Sequence, residues 1–174
     1  MTHFVSDVQR QVYKRIARVM LEQFGDRVEA SVDKATLTVE VGSASTDVCV
    51  RAWRDDALID IRAVLITGAR LEHTLFDFLL RENSKLDLGG FAIGDKGEVL
   101  FRHSILGSTC DTSDLRASVW TVMNVADQYD DRMQRQWGGL RATDRKTYQQ
   151  IAVDHHANTV DETVQVLADE LISR

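Results

Sequence analysis

The stretch from Arg70 to Leu106 constrains the fold of this chain most, because it joins an unusually apolar helix to a pair of strands. Its sequence is RLEHTLFDFLLRENSKLDLGGFAIGDKGEVLFRHSIL. The spacing of apolar residues predicts a helix, Gly89 and Gly90 allow a sharp turn, and two strands then flank a second turn at 94–97. Six large apolar side chains cover an arc of about 200° around the predicted helix: Leu71, Leu75, Phe76, Phe78, Leu79 and Leu80.

This apolar arc is wider than a contact with one sheet requires, since about 100° is enough for that purpose. Phe76 and Leu80 lie on its far flank. Leaving them in water would forgo about 1.5–3 kcal/mol for each side chain. We therefore expect Phe76 and Leu80 to pack against a later segment of this chain or against a second copy of it.

The residues before this stretch predict a helix followed by three strands. Ser6 and Gln9 have the spacing of a capping box, and Gly25 is a natural helix end. Residues 35–41, 47–54 and 58–66 alternate apolar and polar side chains and are joined by short connections, which predicts an antiparallel meander with one covered face. Trp53 falls on the otherwise polar face, either as a packing residue or as an anchor for a bound peptide or subunit.

A long third helix is predicted after the strand pair, with Asp111 as its cap. Its apolar seam consists of Leu115, Val119, Val122, Ala126, Tyr129 and Met133. Trp120 and Met123 flank this seam, and we expect them to be candidates for the other side of a dimer contact.

The apolar pattern breaks after residue 136, and a capping box at Thr159 marks a last short helix that must dock to be stable. We therefore predict one domain over residues 1–136 and a helical C-terminal extension, residues 137–174, that docks on the domain or on its partner subunit.

The segment LFDFLLRENSKLDLGGFAIGDKGEVLFRHSIL, with a later helix that ends in VADQYDDRM, resembles the YbjN family, whose fold is similar to that of type III secretion chaperones. The resemblance is sharpest over residues 70–133, and only the order of elements supports it over residues 4–66. It implies an α+β fold made of a helix, a three-stranded antiparallel meander, a second helix, a β-hairpin and a long third helix. The shared motif is structural, so it implies a fold more strongly than an activity.

Charge and composition exclude several classes of protein. The formal net charge of −6, without a clustered basic face, does not fit a nucleic-acid-binding protein. No apolar run approaches the roughly 20 residues that span a bilayer, and charges interrupt the apolar core that a signal peptide would need. Cys49 and Cys110 do not make a disulfide framework. We therefore expect a cytoplasmic protein without a nucleic-acid or membrane partner.

Four residue clusters could carry chemistry, but each has a simpler structural explanation. In Asp154-His155-His156, neighbouring residues on a helix would point about 100° apart, and Cys110 with His103 lacks an orienting third residue. Asp127, Asp130 and Asp131 near Arg132 lack the spacing of a calcium loop, and Gly89-Gly90 with Gly94 and Gly97 precede strands rather than a helix. We therefore predict no catalytic, metal or cofactor site.

Two functions fit these observations. The first is a non-catalytic protein-interaction module, chaperone-like or regulatory as the resemblance implies, which acts as a homodimer and binds a segment of another protein. The alternative is a small-molecule-binding protein or enzyme that uses a cavity between sheet and helices, which would need convergent polar groups in an apolar pocket. For the first function the predicted interface residues are Phe76, Leu80, Trp53, Trp120 and Met123.

Overall fold

The computed structural model describes residues 4–41 and 44–144 and contains three helices and seven strands within them. Short 3-10 turns at Gly25–Arg27 and Val32–Lys34 flank the first strand. The predicted order of helices and strands is confirmed, and the first and last strands are additional to it. The elements are α1 (Asp7–Phe24), β1 (Val28–Ser31), β2 (Thr36–Val41), β3 (Ala44–Trp53), β4 (Asp56–Thr67), α2 (His73–Asn83), β5 (Gly90–Ile93), β6 (Val99–Leu106), α3 (Thr112–Trp137) and β7 (Leu140–Arg141).

The strands form one antiparallel sheet with the order β1-β2-β3-β4-β6-β5. The hairpins β2–β3 and β3–β4 make the predicted meander, and β5–β6 is the predicted strand pair. Strand β7 also pairs with β4: Ile66 lies opposite Val99 of β6 on one side and opposite Arg141 of β7 on the other. The last described strand therefore returns the chain to the end of β4, beside the connection that leads to α2.

The helix ends have the predicted caps. The Ser6 hydroxyl accepts a hydrogen bond from the Gln9 backbone N–H at 3.1 Å, and the Gly25 N–H donates to the Leu21 carbonyl. At the start of α3, Asp111 and Asp114 form a reciprocal capping box, in which each carboxylate accepts from the other residue's backbone N–H. The bonds at Ser6, Asp111 and Asp114 satisfy N–H groups that the start of a helix otherwise leaves without partners, and the bond from Gly25 satisfies a carbonyl of the last turn of α1.

The core lies between the helices and one face of the sheet, which we call the inner face. Alternate residues of β2, β3, β4 and β6 on this face are buried, as period-two patterning requires when one side is covered. The predicted seam of α3 packs there, with Leu115, Val119 and Met133 fully buried. The opposite face, which we call the outer face, carries mostly polar side chains, and most of its side chains are partly or fully exposed.

Helix α3 lies between α1 and α2. The Trp120 ring contacts Phe24 of α1 at a centroid distance of 5.7 Å, and the Tyr129 ring contacts Phe78 of α2 at 6.2 Å. Residues nine positions apart lie about 180° apart around a helix, so α1 and α2 flank α3 on opposite sides. Helix α3 is consequently buried over a wider arc than its apolar seam alone indicates.

The described residues up to Ala142 belong to one compact unit. Trp137 is buried, and Leu140 and Arg141 pair with β4, so this unit continues past residue 136, where the sequence pattern breaks. The remainder of the predicted extension, residues 145–174, which includes Thr159 and the cluster Asp154-His155-His156, lies outside the described residues.

Candidate protein-interaction surfaces

One side of α2 is fixed to the domain by buried apolar and hydrogen-bonded residues. Leu75 and Leu79 are buried, and the Phe78 ring packs on Trp137 at a centroid distance of 5.1 Å. The Trp137 Nε1–H donates to the Thr74 hydroxyl at 3.0 Å, so the indole has a polar partner inside the contact. The buried Glu82 carboxylate accepts from the Tyr129 hydroxyl at 2.9 Å and from Lys85 Nζ at 2.8 Å.

The opposite side of α2 carries the two residues that were predicted to need a second contact. Phe76 is 41% exposed and Leu80 is 71% exposed, one turn further along the helix. The Asp77 and Arg81 side chains lie beside them and form an ion pair at 2.8 Å. The hydrogen bond from Arg81 lowers the pKa of Asp77. Phe76 and Leu80 are therefore exposed on one flank of α2, and their predicted contact with a later segment of this chain or with a second copy stays a prediction.

Trp53 is at a different place, at the tip of the β3–β4 hairpin. It is 45% exposed and lines an open pocket of about 390 Å³ together with Val8 and Leu106. The guanidinium of Arg54 lies 5.8 Å from the centre of the indole ring. At the same end of the sheet, the Asp56 carboxylate accepts hydrogen bonds from the Ser108 side chain and the Ala57 backbone, and these bonds lower the pKa of Asp56.

Trp120 and Met123 do not form the common surface that was predicted for them. Trp120 is 38% exposed, whereas Met123 is only 2% exposed and belongs to the core. The prediction for Met123 does not fit this placement, because the residue lies between the sheet-facing seam of α3 and the side that contacts α1. Trp120 contacts Phe24 near one end of α1, and Trp53 shares a pocket with Val8 near the other end, about 24 Å away along the helix. One small contact cannot include both tryptophans.

The outer face of the sheet carries a charged cluster that the sequence patterns did not reveal as a unit. Asp60 of β4 is buried, and its carboxylate accepts hydrogen bonds from Arg102 Nη2 at 2.8 Å and from the Ser104 hydroxyl at 3.0 Å. Arg51 approaches the same carboxylate at 3.9 Å, and Arg62 approaches Asp47 at 3.9 Å. The alternation in β4 places Asp60 and Arg62 on this face, but only the register of β6 shows that Arg102 joins them.

The two edges of the sheet differ in the access that they give to another strand. At β5, the Asn83 side chain accepts from the Phe91 N–H at 2.6 Å and donates to the Phe91 carbonyl at 3.2 Å. The amide therefore occupies the edge where a further strand would bind. At the other edge, β1 pairs with β2 alone among the described strands. Open backbone groups at a sheet edge can bind an extended segment of another chain.

Three of the clusters considered for chemistry lie within the described residues. Burial raises the pKa of the Cys110 thiol to about 11, which is opposite to the shift expected of an activated nucleophile. Burial also lowers the pKa of His103. Among the described residues, no group of three or more His, Cys, Asp or Glu side chains could hold a metal ion. Asp131 instead pairs with Arg141 of β7, and Gly89 and Gly97 occupy left-handed turns on either side of β5.

No helix within residues 4–41 and 44–144 combines the length and apolar character needed to cross a bilayer.

Comparison with known protein families identifies the family to which this fold belongs. The chain matches the family model TY-Chap1, described as type III secretion system (YopN, CesT) and YbjN peptide-binding chaperone 1, over residues 10–145. The chain belongs to this family. The predicted resemblance to the YbjN family is therefore confirmed, and the match extends over α1 and the meander, where only the order of elements had supported it.

Two solved structures show the same fold at low sequence identity. The ExsC–ExsE complex matches with a TM-score of 0.58 and 12% identity, covering 74% of this chain and 97% of that chain. The HopA1–SchA chaperone–effector complex matches with a TM-score of 0.53 and 11% identity, covering 71% and 98%. These matches confirm the predicted secretion-chaperone-like fold. A comparison with curated proteins finds no match.

Proposed function

We propose that this member of the peptide-binding chaperone family is a non-catalytic interaction module, chaperone-like or regulatory, which acts in the cytoplasm as a homodimer and holds a segment of a partner protein. The observation that carries this proposal is the uncovered apolar side of α2, formed by Phe76 and Leu80 on a helix whose other side is firmly anchored. Family membership supports the peptide-binding part of the proposal. The structural neighbours include complexes with partner proteins, which is consistent with it.

The α2 surface suits a symmetric contact with a second copy. Two-fold symmetry presents the same patch from both subunits, so Phe76 and Leu80 would each be buried twice. Asp77 and Arg81 lie beside them on the same helix and have opposite charges, so antiparallel α2 helices would place each acid near the partner's base. The exposed fractions of the two apolar residues correspond to about 3–7 kcal/mol of burial in such a dimer, before the cost of association.

Of the two edges of the sheet, the edge of β1 suits an added strand better than the edge of β5. Because the Asn83 amide already fills the β5 edge, an added strand would have to displace it. Among the described residues, no side chain occupies the edge of β1 in the way that the Asn83 amide occupies the edge of β5. Glu29 and Ala30 of β1 are exposed. Backbone pairing at an edge supplies affinity, and a pocket for a side chain supplies choice of sequence.

Replacing both apolar residues of α2 tests the homodimer. We expect the double substitution Phe76→Asp/Leu80→Asp to give a folded monomer, because a symmetric contact would otherwise bury four carboxylates in an apolar surface. Light scattering coupled to size exclusion gives the mass, and circular dichroism reports the fold. The matched control Leu21→Asp/Val32→Asp changes two exposed apolar residues elsewhere and should leave a dimer. A wild-type monomer, or a dimer that survives the α2 substitutions, would contradict the proposed interface.

The alternative function, a small-molecule carrier or enzyme, requires room between the sheet and the helices. Side chains from both sides of that contact, including Ile59, Ile61, Val119 and Val122, have no exposed surface. A cavity large enough for a ligand would leave part of such side chains accessible to a water-sized probe. This packing does not favour the alternative.

A further inference from the structure

The outer face of the sheet is electrostatically unlike the rest of this acidic protein. In the middle of that face, Arg51, Arg62 and Arg102 are each close to half exposed, whereas the carboxylate of Asp60 is buried beneath them. Asp47, near Arg62, is the second carboxylate of this region and is partly exposed. Two further exposed carboxylates, Glu29 and Glu40, lie on the same face towards the β1 edge. A partner that approaches the part of the face formed by β3, β4 and β6 therefore meets three guanidinium groups and one accessible carboxylate, on a chain whose formal net charge is −6.

Two of these arginines face each other across neighbouring strands. Arg62 of β4 lies directly opposite Arg102 of β6 in the antiparallel register. Like charges at directly opposed positions destabilise a sheet, and arginine is well suited to bind carboxylates in a bidentate manner. The buried Asp60 holds Arg102, and Asp47 lies 3.9 Å from Arg62, so each guanidinium keeps donors on its accessible side.

The arginine cluster continues into an apolar row at one end of the sheet. Arg51 lies opposite Leu58, and Leu58 lies opposite Leu106 on the next strand. Trp53 follows two residues beyond Arg51 on the same face of β3, where it lines the open pocket with Leu106. Successive side chains on one face of a strand are about 7 Å apart, which sets the distance from Trp53 to Arg51. The row that contains Arg62 and Arg102 lies about 20 Å from Trp53.

We infer that this outer face binds an acidic, extended segment of a partner protein, with a large apolar side chain at Trp53 and Leu106 and carboxylates on Arg51 and on the pair Arg62 and Arg102. An extended segment repeats its side chains at the same spacing of about 7 Å. A segment with an apolar residue and with acidic residues two and six positions later therefore places these three side chains at Trp53, at Arg51 and at the pair Arg62 and Arg102, in that order. The inference rests on the proposed peptide-binding function, specifies the chemistry of the segment, and uses the outer face of the sheet rather than the β1 edge.

Three labelled peptides test the inference by fluorescence anisotropy with the full chain. Each peptide begins with Trp, has Thr or Ser at the neutral positions, and carries Glu, Gln or Lys at the third and seventh positions. We expect the Glu peptide to bind best and the Lys peptide to bind worst, with the difference falling as salt is added. The substitution Arg51→Gln/Arg62→Gln should weaken binding of the Glu peptide by about two- to five-fold for each arginine removed and leave the Gln peptide nearly unchanged.

The matched control is Arg18→Gln/Arg116→Gln, which changes the net charge equally but alters exposed arginines on α1 and α3. It should retain the preference for the Glu peptide. Equal binding of the Glu and Lys peptides, or an equal loss in the control, would overturn the inference while leaving peptide binding itself intact. Failure of all three peptides to bind would overturn it too, and the mass of the α2 variants would still test the homodimer separately.

Discussion

Substitution of Asn83 is expected to destabilise the domain and to open the β5 edge at the same time. The Asn83 amide makes two hydrogen bonds to the Phe91 backbone, and both would be lost in Asn83→Ala. A hydrogen bond in this setting contributes about 0.5–1.5 kcal/mol, so we expect a loss of about 1–3 kcal/mol in the free energy of unfolding. For a chain of this size, that loss corresponds to a fall in the melting temperature of about 2–12 °C.

Urea denaturation followed by circular dichroism measures the loss, and Asn83→Asp separates the two bonds. The aspartate keeps an acceptor for the Phe91 N–H but has no donor for the Phe91 carbonyl, so its stability should lie between those of the wild type and Asn83→Ala. Exposure of the β5 edge should also increase concentration-dependent self-association in Asn83→Ala. If Asn83→Ala unfolds within about 0.5 kcal/mol of the wild type, the amide does not stabilise this edge and the reasoning is refuted.

Two further predictions concern the core and the α2–α3 contact. Met123→Ala should lower the free energy of unfolding by about 2–5 kcal/mol, because it leaves a cavity in the core. The control Leu21→Ala, at an exposed position of α1, should change this free energy by less than about 0.5 kcal/mol. Similar losses for the two variants in urea denaturation would contradict the placement of Met123. Hydrogen bonds from Lys85 and Tyr129 lower the pKa of Glu82 from its ordinary value of 4.5. The Glu82 carboxylate therefore stabilises the fold fully above pH 4.5. This contribution is lost as the pH falls through the lower pKa of the folded state. Compared with Glu82→Gln, the wild type should therefore lose more stability in acid, and parallel curves of stability against pH would contradict this.

The sequence predicts the fold well where side-chain periodicity is long enough to measure. The alternation in β2, β3 and β4 and the capping residues Ser6 and Asp111 all correspond to observed structure. Strand β1 could not be predicted in this way, because VEAS has only four residues and no clear alternation. Strand β7 has two residues and exists through its pairing with β4, which is a contact distant in sequence.

Surface residues were harder to predict than elements, because exposure depends on what packs around a helix or beside a strand. Met123 flanks the α3 seam, and only the position of α1 shows that this flank is buried. Arg102 is unremarkable in the sequence of β6, and only the register with β4 places it beside Asp60 and Arg62. By contrast, the width of the apolar arc in α2 singled out Phe76 and Leu80 as residues in need of a further contact, and both are exposed on the described domain.

The segment Leu-Leu-Arg-Glu-Asn at the end of α2 explains how one short helix can serve two surfaces. Leu79 and Glu82 point into the domain, where Glu82 binds Tyr129. Leu80 and Arg81 lie on the accessible side, beside Asp77. Asn83 ends the helix and fills the β5 edge. Because inward and outward residues alternate within one turn, the anchoring bonds fix the orientation of the exposed leucine, so a partner would meet a preformed surface rather than one that must be ordered on binding.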